Sequence, residues 1–129
     1  MTIRLATTGI VVWLALFCLV RNPVIAQDGV PAVPYTQVPE LKAYIEQGVS
    51  NPTPDDATVA KVDLNQPPDG TPEYIVSYHS TLNCGSGGCA TEVLRVSPSG
   101  KVENIAETLG YGIGIAYTAT KGMLDLLTV

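Results

Sequence analysis

Hydrophobic positions along this chain change period twice. An apolar run from about Gly9 to Val20 gives way to an aperiodic stretch, then to helical spacing at Val38, Leu41, Tyr44, Ile45 and Val49, and from Thr58 onward to strand-like alternation. The helical stripe predicts a helix over Pro39–Gln47: Pro39 suits a first turn, Glu40 favours the N-terminal dipole, and Gly48 is a natural C-cap. Ser50–Asp56, with two Pro and two Asp, reads as a linker. The alternating runs fall at Thr58–Leu64, Glu73–Ser80, Thr91–Val96, Val102–Glu107, Tyr111–Thr118 and Met123–Val129. Between them lie Pro-Pro-Asp-Gly, a cysteine-bounded loop, Ser-Pro-Ser-Gly and a turn at Lys121-Gly122. The expected fold is α+β, with one N-terminal helix packed on a mainly antiparallel sheet of about six short strands.

The first apolar run is a leader rather than a structural element. Arg4 supplies a basic start, about 12 apolar residues follow, and Val24-Ile25-Ala26 offers a small-residue cleavage site, whereas a membrane span needs roughly 20. Arg21, Asn22 and Pro23 end the run too early for an anchor, and Leu16 and Phe17 occupy positions where a lipobox before Cys18 wants small residues. The expected organisation is a signal peptide over 1–26, an extended arm over 27–37 carrying Gly29, Pro31 and Pro34, and a single α+β domain over 38–129. No integral span remains after cleavage, and the compartment is periplasmic or extracellular.

Removal of the leader takes Arg4 and Arg21 and leaves 5 basic against 12 acidic residues, a formal net charge of −7. Nucleic acid and anionic membrane surfaces are poor partners for such a chain, because phosphate binding is built on clustered Lys and Arg. Trp13 and Phe17 leave as well, so Tyr is the only aromatic type in the mature chain and Ile, Leu and Val build the core.

Two cysteines remain, Cys84 and Cys89, an even number in an exported chain, which predicts a disulfide. Closing so short a loop stabilises by only about 2 kcal/mol, so the bridge shapes a loop more than it holds the domain. A zinc site is excluded by the C-x4-C spacing and the single histidine. Asn83-Cys84-Gly85-Ser86-Gly87-Gly88-Cys89 is the most distinctive block of the sequence. Its glycines leave backbone amides accessible and free to take positive φ, as in an anion-binding nest or a protruding recognition knob. A tight strand connection that needs glycine and a staple explains the same residues. His79, on the strand leading into the loop, is either part of that binding site or a hydrogen-bonded strand residue. Gly110, Gly112 and Gly114 occupy alternate positions and predict a bare strand face, with Tyr111, Ile113, Ile115 and Tyr117 on the other, against which a helix, a loop or a partner packs closely. The apolar run Leu124, Leu126, Leu127 and Val129 suggests self-association or a sequence shorter than the family norm.

The acidic turn Asp63-Leu-Asn65-Gln-Pro-Pro-Asp69-Gly70-Thr-Pro72-Glu73-Tyr74 resembles the D-x-N-x-D-G-x-P-E calcium loop of dockerin-like and FG-GAP-like repeats, with two extra residues between Asn65 and Asp69. That resemblance implies calcium ligands at Asp63, Asn65, Asp69 and Glu73. The alternative is a turn whose acidic side chains cap backbone amides. Taken together, the turn, the Pro-Glu-Tyr strand start and the C-G-S-G-G-C loop resemble a group of small exported bacterial proteins of uncharacterised function, over about Asp63–Leu126. The Cys-x4-Cys spacing is also similar to the disulfide loop that Ivy-type lysozyme inhibitors insert into their target, although the His of such loops is missing here.

Gly85-Ser86-Gly87-Gly88 is similar to the surroundings of a chymotrypsin-type nucleophile, but Gly precedes Ser86, His79 is the only base, and the domain is too small for that fold. Carboxylates at Asp55, Asp56, Asp63, Asp69 and Glu73 cluster at turns rather than across a cleft. The sequence therefore predicts a non-enzymatic exported binding module without a cofactor, an inhibitor or envelope-associated protein. It would capture a protein or envelope component through Asn83, Gly85, Ser86, Gly87, Gly88 and His79. A calcium-stabilised structural module is the alternative.

Overall fold

A computed structural model describes residues 30–128. The expected leader, the first residues of the arm and Val129 lie outside the described residues.

The helical stripe folds as its spacing dictates. Helix α1 spans Pro39–Gln47, with proline in its first turn and Gly48 at its C-cap. Leu41 and Ile45 are fully buried, Val38 and Val49 nearly so, and the helix lays this stripe on a sheet of β2 (Ala57–Val62), β3 (Glu73–Tyr78) and β5 (Gly88–Val96). Val59, Tyr74, Val76, Tyr78 and Leu94 form the receiving face. The fold is α+β, mainly antiparallel sheet with one α-helix among the described residues.

Two expectations need correction. Among the described residues the helix is not the first element, and there are eight strands rather than about six. Ala32–Pro34, expected in the extended arm, forms β1 and pairs antiparallel with β2, and Tyr35–Gln37 adds a 3-10 turn that buries Tyr35 beneath the sheet. With Pro31 just before it and Pro34 at its end, so short a strand shows no periodicity that could reveal it. The other new strand, β4, is the two-residue Cys84–Gly85 inside the cysteine loop.

Registers fix the sheet. On one edge β5 pairs first with β4 and then, further along, with β3, and on its other edge it pairs with β6 (Val102–Gly110). A bulge lies at Ile105, since Val93 faces Ala106 while Leu94 faces Asn104. The last pair, β7 (Ile113–Thr120) and β8 (Met123–Thr128), does not continue this sheet but forms a two-stranded ribbon of its own. Its Ile113, Ile115, Met123, Leu124 and Leu126 pack on Leu64, Ile75 and Val93, the face of the main sheet opposite the helix. The molecule thus has three layers: helix, sheet and ribbon.

The expected glycine face is divided by this turn of the chain: Gly110 ends β6, Gly112 lies in the corner, and Gly114 is buried in β7 opposite Leu127. Tyr117 is parted from Ile115 because the β7–β8 register shifts after Ile115, which pairs with Leu126, while Ala119 pairs with Leu124. The apolar C-terminal run is accounted for in part, as Leu124 and Leu126 face the ribbon core.

Because Tyr35 is buried, Tyr35→Ala is expected to lower unfolding free energy by about 2–5 kcal/mol in urea titration, close to the cost of Leu41→Ala. An effect below about 0.5 kcal/mol would return residues 32–37 to the status of a loose arm.

Candidate functional site

The cysteine loop is a miniature hairpin. Cys84 and Cys89 face each other across β4 and β5 and are joined by a disulfide, Gly85 faces Gly88, and Ser86-Gly87 makes the two-residue turn. Below it, Asn83 closes a turn: its amide N–H bonds the Ser80 carbonyl, its side chain donates to Ser80 Oγ at 2.8 Å, and its carbonyl accepts from Ala90 N–H. The Tyr111 hydroxyl reaches across from the β6–β7 corner and donates to the Ser86 carbonyl at 2.9 Å.

The glycines of the loop are not equivalent. Of the three, only Gly88 takes positive φ, at +104°, and it is buried. A Cβ there would lie 2.3 Å from the Gly110 carbonyl oxygen, so glycine is required at position 88, where β5 passes the backbone at the end of β6. Gly85 and Gly87 have open space around them and ordinary backbone angles. The arrangement is therefore a stapled tip rather than an anion-binding nest, since the one positive-φ residue points its freedom into the packing. Around the tip two large apolar side chains stand in solvent: Leu82 is 78% exposed and Tyr111 80%.

His79 is directed elsewhere. It lies just past β3, its amide N–H bonds the Asp56 carbonyl, and its Nε2 is hydrogen-bonded to Thr58 Oγ1 of β2 at 3.0 Å. Its partners are on β2 and the turn before it, not in the loop.

The acidic turn does bring Asp63, Asn65, Asp69 and Glu73 together. Asp63 caps the backbone N–H groups of Asn65, Asp69 and Gly70, and these bonds, the one from Gly70 foremost, hold its carboxyl below the ordinary value. At the centre sits the Asn65 side-chain nitrogen, whose two N–H groups are shared among Asp63 Oδ1 and Asp69 Oδ1 at 3.0 Å and, further off, the Thr71 carbonyl at 3.3 Å and Glu73 Oε1 at 3.4 Å. Glu73, fully buried, accepts the Leu64 N–H on Oε2 and the Arg95 guanidinium on Oε1 at 2.8 Å. The oxygens that the calcium resemblance implies thus converge on an amide donor and a guanidinium. A divalent cation at that point would have to displace the amide donor and sit beside the guanidinium.

The turn also clamps the ribbon. Leu124 N–H bonds the Leu64 carbonyl and Gln66 N–H the Gly122 carbonyl. Asn65 bridges Met123, whose sulfur lies 3.8 Å from the Arg95 guanidinium.

Sequence reasoning missed one feature. Glu92 and Glu107 stand directly opposite each other in the β5–β6 ladder, on the helix face, and neither has a basic partner among the described residues. Glu92 accepts the Tyr78 hydroxyl at 2.8 Å and the Asn104 amide at 3.1 Å, and burial together with this carboxylate raises the Tyr78 pKa far above its ordinary value. Register alone reveals the pair, and register is not readable without knowing the bulge at Ile105.

No known family model, curated protein or solved structure matches the chain. Among the described residues no helix is long and apolar enough to cross a membrane, and the disulfide suits an oxidising compartment.

Gly88→Ala should cost at least about 2 kcal/mol in chemical denaturation, from positive φ and the contact with Gly110, while Gly85→Ala stays within about 0.5 kcal/mol. Arg95→Ala, which strands a buried carboxylate, should cost about 3 kcal/mol, and calcium in excess over chelator should leave the melting temperature of the native chain unchanged. A calcium-dependent rise would instead make the turn a cation site.

Proposed function

We propose that this chain is a non-enzymatic exported binding module that engages a protein or an envelope component through the Cys84–Cys89 tip, as an inhibitor or envelope-associated protein would. The observation that carries the reading is the combination of a rigid support with an exposed apolar rim. The tip is held by the disulfide, by Gly88 against Gly110 and by the Tyr111–Ser86 hydrogen bond, yet Leu82 and Tyr111 beside it are left in water. Pre-organisation lowers the entropy lost on binding, and exposed tyrosine and leucine supply contact area at little conformational cost. The engagement of His79 with Thr58, rather than with Ser86, supports a non-catalytic role for the loop. The leader and the disulfide support export.

The test is capture from envelope and secretion extracts by the oxidised mature chain, by a Cys84→Ser/Cys89→Ser form and by Tyr111→Ala, each confirmed folded by circular dichroism. A specific partner retained by the oxidised chain and weakened about tenfold or more by either change is the expected result. Equal capture by all three, or none, would move the function away from this loop.

A further inference from the structure

We propose that the outer edge of β6 over Ala106–Gly110 receives an extended basic segment of a protein partner, which joins the main sheet as an additional strand. The proposal rests on the binding-module reading above and names a partner chemistry for it. Among the described residues β6 pairs with β5 alone, so its far edge presents unpaired backbone groups of the kind that strand addition uses. The bulge at Ile105 limits the regular stretch to Ala106–Gly110, which pairs in order with Val93 back to Cys89.

Clefts flank this stretch on both faces. Both are lined by Thr91, Glu107 and Thr108; one of about 330 Å³ extends to Ala90, Glu92 and Leu109 on the helix face, and one of about 260 Å³ to Val93, Ala106, Ile113 and Leu126 on the ribbon face. Alternate side chains of an incoming strand would enter the two in turn, which is how strand addition gains specificity.

The charge of the occupant follows from Glu92 and Glu107. Like charges directly opposite in an antiparallel ladder destabilise it, and no Lys or Arg among the described residues pairs with either carboxylate. A guanidinium placed beside Glu107 on the outer edge would meet that carboxylate, with Glu92 one strand further in adding to the negative field. Two residues further along the same face stands Leu109, 68% exposed. The complementary segment therefore carries a basic and an apolar residue two positions apart, with one apolar residue between. A negative charge on the mature chain as a whole attracts such a segment.

The probes are two fluorescein-labelled peptides, Ser-Val-Arg-Val-Leu-Val-Ser and Ser-Val-Leu-Val-Arg-Val-Ser, which cover parallel and antiparallel addition, with versions carrying Glu for Arg. Anisotropy with the oxidised mature chain should show binding of at least one. Replacing Arg by Glu, or Glu107 by Lys, should weaken it about tenfold or more, and Glu107→Gln by a smaller factor. N-methylation at one alternate set of peptide nitrogens should abolish binding while the other set is tolerated, because only one set faces the β6 edge. Glu107→Lys should meanwhile raise the melting temperature, on the order of 1–4 °C, because it removes the like-charge opposition, so lost binding cannot be lost folding. Absence of binding by both peptides, or binding indifferent to residue 107 or to N-methylation, overturns the proposal. Partner capture that needs the disulfide but ignores Glu107→Lys overturns the edge-strand proposal alone. Peptide binding with disulfide-independent capture overturns only the loop reading.

Discussion

The buried carboxylate of Glu73 is the constraint on which the three-layer arrangement depends. A charge without water is tolerable only if its oxygens are occupied, and here the Leu64 N–H, the Asn65 amide and the Arg95 guanidinium occupy them. Those partners come from the turn between β2 and β3 and from β5, so satisfying one carboxylate fixes the course of the turn over the sheet. That course places the Leu64 carbonyl and Gln66 N–H where the ribbon bonds to them. Leu64, fully buried, then anchors the second apolar cluster. The acidic residues hold the ribbon on the sheet, and their charge is consumed locally in doing so.

Much of the fold was legible because it follows from local periodicity. The helix over Pro39–Gln47, its buried stripe and the cores of six strands are encoded in spacing, proline and glycine positions. What was not legible is non-local. The β1 strand exists because Val33 pairs with Val59, and nothing within Ala32–Pro34 announces a partner so distant in sequence. Whether β7–β8 extends the main sheet or folds over it depends on the corner at Gly112 and on where Ile113 and Ile115 find apolar surface, which alternation cannot decide.

The candidate site was legible in the same uneven way. The disulfide follows from residue count and compartment, and the grouping of Asp63, Asn65, Asp69 and Glu73 follows from turn chemistry. The separate roles of the loop glycines do not, because the requirement at Gly88 is set by Gly110, a residue far along the chain. Nor does the Tyr111 contact with Ser86, for the same reason.

These long-range contacts join the two surfaces at one end of the molecule. Cys89 pairs with Cys84 on one side and with Gly110 on the other, so a single residue of β5 links the stapled tip to the last residue of the β6 edge. Any side chain on Gly88 would push against the backbone of Gly110, and the bareness of Gly88 keeps tip and edge within backbone contact. The Tyr111 hydroxyl then bridges the corner after β6 to the Ser86 carbonyl at the turn of the tip. A ligand on either surface would therefore press on elements the other also uses. Opposed carboxylates without a basic neighbour and exposed leucine and tyrosine at this end are unfavourable for an isolated domain, in contrast with the acidic turn, where Arg95 balances Glu73, and such a surface is where a partner gains most.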